Sequence, residues 1–199
     1  MPVLRLWSRY WWTLRAYHSG YGHTKRQAGA VFDGASQIDG VRAQLIVVSD
    51  VEKHWDDLHK ANAIIFGAPT YMGSISAEFK KFMELSSPFW MKQLWKDKLA
   101  AGFTNSGSMN GDKFNSITQL VTFAAQHSMI WVGLGLMPAS SSKAVRDDIN
   151  YLGGYTGALS QSDVDLGADL MPHKGDLDTA SHLGKRVAEL VKCFNLVGN

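Results

Sequence analysis

The sequence predicts an open, doubly wound α/β domain in which five parallel strands carry helices on both faces of the sheet. Apolar, strand-like segments alternate with segments of helical period along the 199 residues, and this alternation is typical of βαβ units. Residues 61–67 are almost continuously apolar, as expected of a strand buried on both faces of a parallel sheet. Three of the predicted strands run directly into loops of small polar residues.

The predicted strands and helices fill most of the chain. Strands are predicted at residues 13–17, 42–48, 61–67, 99–104 and 129–134; helices are predicted at 24–36, 52–60, 77–86 and 178–194, and from residue 112 to about 127. Residues 1–12 read as an N-terminal extension of uncertain order, so the predicted domain covers residues 13–199. A Gly/Ser-rich region without a predicted element precedes the last helix.

Composition excludes several classes of protein. A net charge of +2 with dispersed basic residues argues against nucleic-acid binding, which needs a concentrated basic face. No apolar run is long enough to cross a bilayer. The single cysteine, Cys193, cannot form an intrachain disulfide, which fits a cytoplasmic location. No two histidines have the spacing of a helical zinc site and no G-x-S-x-G elbow is present, so neither a metal site nor a serine hydrolase is expected.

The first polar loop, residues 17–24, leads from a predicted strand into a predicted helix. Its two glycines allow tight turning and close approach to a ligand. A helix that begins at Thr24 would direct unpaired N–H groups and its positive dipole end at the loop, which suits a phosphate. Thr24 and Gln27 also have the spacing of a capping box. A simple turn before a helix remains the alternative, because the loop has neither a Walker pattern nor a complete G-x-G-x-x-G.

The other two polar loops follow the third and fourth predicted strands, at residues 69–74 and 105–112. In an open parallel sheet, ligands bind outside the carboxyl ends of the strands where the strand order reverses. We therefore expect the three loops to converge on one crevice. Backbone amides and the side chains of Thr70, Asn105, Ser106 and Asn110 suit a planar heterocycle, and the loops lack the acidic ligands that Mg²⁺ or Zn²⁺ needs.

These loops resemble the three flavin-binding loops of flavodoxin-like NAD(P)H:quinone oxidoreductases of the WrbA type. The matching segments are Tyr-His-Ser-Gly-Tyr-Gly-His-Thr at 17–24, Gly-Ala-Pro-Thr-Tyr-Met-Gly at 67–73 and Thr-Asn-Ser-Gly at 104–107. Further matches lie at Trp90, residues 126–130, 152–158 and 175–180, so the resemblance spans residues 14–195. Residues 1–15 depart from it because they lack an aliphatic first strand, and the family's long insertion after the second strand is also missing.

The resemblance implies FMN as the cofactor and NAD(P)H as co-substrate. By position it assigns the phosphate to Ser19, Gly20, Tyr21, Gly22, His23 and Thr24; the isoalloxazine ring to Pro69, Thr70, Tyr71 and Met72; and the pyrimidine edge to Asn105, Ser106, Gly107, Ser108, Met109 and Asn110. It also implies that Gln126 or His127 lies near that edge. Trp90 would form one side of the space above the ring. Tyr71 and Trp90 would bind flat substrates in that space.

The expected activity is ping-pong transfer of two electrons from NAD(P)H to a quinone or another planar acceptor. His23 and His127 are the candidate proton donors, and no protein nucleophile is required. The stretch with Trp90 and Trp95, expected to be an exposed aromatic loop, suggests a homodimer, and the family suggests a homotetramer. The alternatives are a flavodoxin-type electron carrier, a flavin-binding regulatory protein without turnover, and a reductase of free flavin, azo or nitro compounds.

Overall fold

The computed structural model describes residues 11–196, and its sheet has the predicted parallel architecture. The strands are β1 (Trp11–Tyr17), β2 (Val41–Val47), β3 (Ala63–Tyr71), β4 (Ser74–Ile75), β5 (Leu99–Ser106), β6 (Ile130–Trp131) and β7 (Ala158–Gln161). The α-helices are α1 (His23–Ser36), α2 (Trp55–Lys60), α3 (Ala77–Leu85), α4 (Ser87–Met91), α5 (Lys113–Gln126) and α6 (Lys174–Leu196). A 3-10 helix covers Val48–Lys53.

Parallel pairing gives the strand order β2-β1-β3-β5, and β6 and β7 share the next position. β6 pairs with the beginning of β5, and β7 pairs with its end, where Phe103 faces Ala158 and Ser106 faces Gln161. The order reverses between β1 and β3, which is where open α/β sheets bind their ligands. The sheet therefore has five positions, as predicted, with the fifth filled by two separate segments.

Alternating side chains of the buried strands form two hydrophobic cores, one on each face of the sheet. Ile64 and Phe66 of β3 belong to a core with α2, α3 and α5. Ala63 and Ile65 belong to a core with α1 and α6. This alternation explains why the segment reads as continuously apolar, since both sets of side chains are buried.

β1 begins two residues earlier than predicted, because Trp11 and Trp12 continue its parallel pairing with β2. The rest of the predicted extension, residues 1–10, lies outside the described residues. Within β1 the side chain of Arg15 is fully buried, and its guanidinium donates to the carbonyl oxygens of Thr13 at 3.3 Å and Val31 at 3.2 Å. Burial lowers the pKa of Arg15 to about 9.

Three other expectations differ from the structure. The fifth strand predicted at residues 129–134 is only the two-residue β6, and β7 lies in the region where no element was predicted. Trp95 is not part of an exposed loop: it is completely buried and packs against Phe82 and Phe123. Trp90 alone of the two tryptophans is exposed. Within residues 11–196, no helix combines the length and hydrophobicity that crossing a membrane requires.

Candidate functional site

A cavity of about 660 Å³ lies at the carboxyl ends of β1, β3 and β5. It brings together nine residues of the three predicted loops: Tyr21, His23, Thr24, Pro69, Thr70, Tyr71, Asn105, Ser106 and Gly107. A fourth wall comes from the segment after β7, through Ser162, Val164, Asp165, Leu166 and Gly167. Within the described part of the chain, the lining contains no Lys or Arg, so N–H and hydroxyl groups are the donors that it offers to an anionic group.

The first loop contributes two residues with unpaired backbone donors, His23 and Thr24, to the lining of this cavity. α1 begins at His23, and its N-cap is Gly22, whose φ of 91° is the left-handed conformation that glycine tolerates. Among residues 11–196, no acceptor is found for the backbone N–H of His23 or Thr24. Both N–H groups belong to the first turn of a 14-residue helix, at the positive end of its dipole.

The side chain of Ser19 stabilises this loop through two hydrogen bonds to its backbone. Its hydroxyl oxygen accepts hydrogen bonds from the backbone N–H of Gly22 at 3.1 Å and of Lys25 at 3.0 Å. The predicted capping box is therefore wrong, since Ser19 caps the first turn while Thr24 and Gln27 are buried inside the helix. The two residues pack against the core because the helix begins before Thr24.

The second loop approaches the first through Gly20 and Tyr71. A Cβ placed on Gly20 would lie 2.6 Å from the Tyr71 hydroxyl oxygen, so a larger residue at this position would displace the tyrosine hydroxyl. The Tyr21 and Tyr71 rings meet edge to face, with centroids 6.1 Å apart. Burial raises the pKa of Tyr71 above its ordinary value. Met72, predicted to line the ring, instead lies fully exposed at the turn after β3.

Thr70 belongs to a buried hydroxyl cluster at the base of the cavity. Its Oγ1 donates to Ser116 Oγ at 2.7 Å and accepts from Thr104 Oγ1 at 2.8 Å. Because each hydroxyl carries a single proton, the bond to Ser116 fixes the direction of the bond with Thr104. The cluster joins the ends of β3 and β5 to α5 and holds the second and third loops at a fixed separation.

The third loop enters the cavity only through its first three residues. Ser108, Met109 and Asn110 are exposed and do not line it. Their carbonyl oxygens instead accept hydrogen bonds from Lys113 Nζ, at 2.6, 2.9 and 3.3 Å. Burial lowers the pKa of Lys113 to about 8. Lys113 was not predicted, and its only signal in the sequence is a cationic residue at the start of a helix, where the dipole disfavours positive charge.

The segment after β7 was also missed, and it is tied to both the first and the third loops. His23 Nε2–H donates to the Leu166 carbonyl at 2.9 Å, and Arg26 Nη1 donates to the Ala168 carbonyl at 3.1 Å. Gln161 Nε2 donates to the Gly107 carbonyl at 2.9 Å. A prediction of the short strand β7 would have revealed this wall, because its following loop leaves the sheet at the same edge.

Trp90, Gln126 and His127 are not brought to this cavity. They line a second cavity of about 440 Å³ beside α3 and α5, which shares no lining residue with the first. Their expected places around the flavin therefore remain predictions that a single copy of the chain does not support.

His127 is held by contacts that do not favour a role as proton donor. Its ring stacks on Trp95, with centroids 4.3 Å apart. Its Nε2–H donates to Ser86 Oγ at 2.9 Å, because the Ser86 hydroxyl itself donates to the Met83 carbonyl. Nδ1 is buried and unpartnered, and burial lowers the pKa of His127 to about 4. The ring is thus neutral near pH 7, and its only proton is engaged.

Comparison with known proteins places this arrangement in a family. The family model described as NADPH-dependent FMN reductase matches residues 32–142. The chain belongs to this family. Within it, the chain belongs to the flavodoxin-like proteins of the WrbA type: it is 40% identical to a WrbA-like flavodoxin from Agrobacterium tumefaciens, whose crystal structure it matches with a TM-score of 0.71 over 92% of this chain and 98% of that one.

Two relatives carry different functional names. The chain is 47% identical over 178 residues to flavodoxin FldP of Pseudomonas aeruginosa, covering 87% of this chain and 93% of the relative. It is 29% identical over 204 residues to an NAD(P)H dehydrogenase (quinone) of Geobacter sulfurreducens, covering 92% and 98%. The flavodoxin-like fold and membership of a family of flavin oxidoreductases are thus confirmed. The two names differ in kind, because one relative is named a flavodoxin and the other a dehydrogenase.

Proposed function

We propose that this chain binds FMN in the 660 Å³ cavity and transfers electrons from NAD(P)H to quinone-type acceptors in a two-electron, ping-pong cycle. The observation that carries the proposal is the convergence of the loops after β1, β3 and β5 on one cavity, at the reversal of strand order. This is the position at which open α/β sheets bind ligands. The description of the family and the names of the quinone dehydrogenases support the chemistry.

The residues around the cavity fit a phosphorylated, planar group. The unpaired N–H groups of His23 and Thr24 suit a phosphate, which a helix N-terminus binds without help from a cationic side chain. Tyr71 and Pro69 offer flat apolar surface, and Asn105 and Ser106 offer polar contacts for a heterocycle. The glycine at position 20 keeps the first and second loops close enough to enclose such a group.

Bound FMN supplies the hydride chemistry, and the protein supplies position and electrostatics. The backbone donors of the first loop hold the phosphate, and Tyr71 packs against flat groups at the mouth of the cavity. His23 is the proposed proton donor. It could donate from Nδ1 only as the imidazolium, because the single proton of the neutral ring lies on Nε2 and is engaged by the Leu166 carbonyl.

A homodimer or homotetramer is part of this proposal. Trp90 is exposed and lies in a cavity separate from the flavin cavity of its own chain. Trp90 could border the space above a flavin only if that flavin were bound to another copy of the chain. Sedimentation equilibrium with and without FMN tests the assembly, and a protein that stays monomeric in both conditions would remove Trp90 from the substrate site.

Binding is tested by titrating the apoprotein with FMN and measuring flavin fluorescence together with the melting temperature. We expect saturable quenching with one FMN per chain and a higher melting temperature, because a ligand that binds only the folded state stabilises it. Unchanged fluorescence and melting temperature at saturating FMN would contradict the proposal.

A flavodoxin-type electron carrier is the second candidate, because the relative with 47% identity is named a flavodoxin. Carriers typically use charged surfaces to steer toward their partners, and the net charge of +2 does not favour a strongly acidic surface. Steady-state oxidation of NADH and NADPH with several quinones separates the candidates. Sustained turnover supports the reductase, whereas tight FMN binding with negligible turnover supports the carrier or a regulatory protein.

A further inference from the structure

A third cavity, of about 340 Å³, lies at the amino ends of β3 and β5, at the edge of the sheet opposite to the 660 Å³ cavity. Its volume is within the range of small-molecule sites. The lining includes three lysines, Lys60, Lys96 and Lys98, and one carboxylate, Asp97, while the end of α6 contributes apolar side chains. Within the described part of the chain, this cavity is therefore cationic, in contrast to the one at the other edge.

Lys98 is held differently from the other two lysines. Lys60 and Lys96 are exposed, whereas Lys98 is partly buried. Its Nζ donates to the carbonyl oxygen of His59 at 2.7 Å and to that of Ala61. Both carbonyls lie at the C-terminus of α2, where backbone acceptors lack partners within the helix. Lys98 thus connects the end of α2 to the turn before β5.

The two carbonyl contacts leave one position on Lys98 Nζ unused. An ammonium group carries three N–H donors, and a neutral amine carries two N–H donors and a lone pair. Among residues 11–196, Nζ contacts only these two acceptors, so loss of its third proton breaks no hydrogen bond. Burial lowers the pKa of Lys98 to about 8, which leaves about a tenth of the side chain neutral at pH 7. A nucleophilic amine is therefore present on a residue that lines the cavity.

The titratable groups around Lys98 come from α2 and from the turn before β5. The end of α2 contributes Lys60 and His59, and burial together with the charge of Lys98 lowers the pKa of His59. The turn contributes Lys96 and Asp97, and the lining residues from α6 are uncharged. When Lys98 is neutral, two cations and one carboxylate remain in the lining, and this balance favours an anionic reagent.

We propose that Lys98 is an acylation site, at which its neutral amine attacks the carbonyl carbon of a small acyl phosphate that Lys60 and Lys96 attract to the cavity. A new N–C bond forms as the C–O bond to the phosphate breaks, and the amine proton passes to the leaving phosphate. No oxidant or reductant takes part. The acylated Nζ is uncharged and keeps one N–H, so one of its two carbonyl contacts with α2 is lost. This site is independent of the proposed FMN cavity.

The test incubates the wild-type protein with acetyl phosphate and follows acetylation of each lysine by mass spectrometry of its peptides. Lys192 is the matched control, because its Nζ also donates to a backbone carbonyl, that of Asp39 at 3.0 Å, but does not line the cavity. At pH 7.5 we expect Lys98 to react at least about tenfold faster than Lys192, since an amine in water is almost entirely protonated at that pH. Equal rates at the two lysines overturn the proposal.

The pH dependence of the rate is a second readout. Acetylation of Lys98 should level off above about pH 8, where its amine has lost the third proton. An amine in water continues to react faster up to about pH 10. A rate at Lys98 that keeps rising about tenfold per pH unit up to pH 10 overturns the proposal.

The double variant Lys60→Met/Lys96→Met tests the choice of an acyl phosphate. We expect the variant to slow the reaction of Lys98 with acetyl phosphate about three- to tenfold more than its reaction with a neutral acetyl ester, because only the phosphate is attracted by the two cations. Equal slowing of both reagents overturns the assignment of an anionic acyl donor. The first two measurements use the wild-type chain, so they decide the proposal even if this variant does not fold.

Discussion

Gly34 in α1 packs directly on the backbone of Ser181 in α6. A Cβ placed on Gly34 would lie 1.9 Å from the Ser181 carbonyl oxygen, and one on Gly184 of α6 would lie 1.9 Å from the Val31 carbonyl oxygen of α1. Each helix thus has a glycine at the point where the backbone of the other helix comes closest. The two helices cover the sheet face next to the first loop, so their spacing affects the position of that loop.

Gly34→Ala is expected to destabilise the apoprotein by about 2–4 kcal/mol, because the methyl group meets rigid backbone and forces the helices apart. Gly29→Ala in the same helix is the control. A Cβ there meets nothing within 4 Å, and the change should stabilise the helix by about 0.5–1 kcal/mol. Urea denaturation measures both, and equal effects of the two substitutions would contradict the packing argument.

Arg15→Met is expected to stabilise the protein by about 1–3 kcal/mol, since a buried charge without a contacting carboxylate is replaced by apolar volume. Among residues 11–196, the guanidinium of Arg15 donates to two carbonyl oxygens, at 3.2 and 3.3 Å, and lies over the Phe32 ring at 5.5 Å, while its Nε has no partner. Thermal and urea unfolding measure the change. Arg15→Lys, which keeps a charge, should show no such gain, and a large loss in R15M would mean that the guanidinium contacts outweigh its desolvation.

His127→Gln is expected to reduce the acid sensitivity of the protein. The pKa of His127 is about 4 in the folded state, below the value of about 6.5 for an exposed histidine. The unfolded state therefore binds more protons between pH 4 and 6.5, and the wild type loses stability as the pH falls through this window. The variant should lose on the order of 2 kcal/mol less. An NMR titration of the His127 ring with a midpoint near 6.5 would contradict this.

Lys113→Met is expected to remove a rise in stability at alkaline pH. The folded-state pKa of Lys113 is about 8, whereas an exposed lysine titrates near 10.4. Between these values the unfolded state binds more protons, so the wild type becomes more stable relative to K113M as the pH rises from about 8 to about 10. The variant should also exchange the amide protons of residues 109–111 faster, because the carbonyl contacts of Lys113 are lost. Parallel stability curves for the two proteins would contradict the burial argument.

Trp90→Ala is expected to leave the FMN dissociation constant of a single chain within about twofold of the wild type, because Trp90 lines the other cavity. Tyr71→Ala should raise it about three- to tenfold, since an aromatic contact contributes about 0.5–1.5 kcal/mol. Fluorescence titration at a protein concentration where the chain is monomeric makes the comparison. A larger effect of W90A than of Y71A would show that Trp90 reaches the flavin.

The sheet and the three loops at its carboxyl edge were predictable because each depends on short stretches of chain. The run Ile64–Phe66 marks a strand buried on both faces, and the polar residues after it mark where that strand ends. Parallel strands then bring their carboxyl ends to one edge whatever the details of packing. β7 was not predicted from its local sequence, because Ala-Leu-Ser-Gln has no distinctive pattern. This segment becomes a strand only by pairing with the end of β5.

Local patterns in the sequence predicted the five positions of the sheet, the family and nine of the residues that line the cavity, because periodicity and turn residues act over short stretches of chain. The folded chain was needed to show that Trp95 is in the core, that Trp90 and His127 line a second cavity, and that the hydroxyls of Ser160 and Ser162 donate to Asn105 Oδ1. Asn105 and Ser160 are 55 residues apart, and no local pattern encodes which end of an amide a distant hydroxyl will bind. Such contacts exist only once the strands have paired.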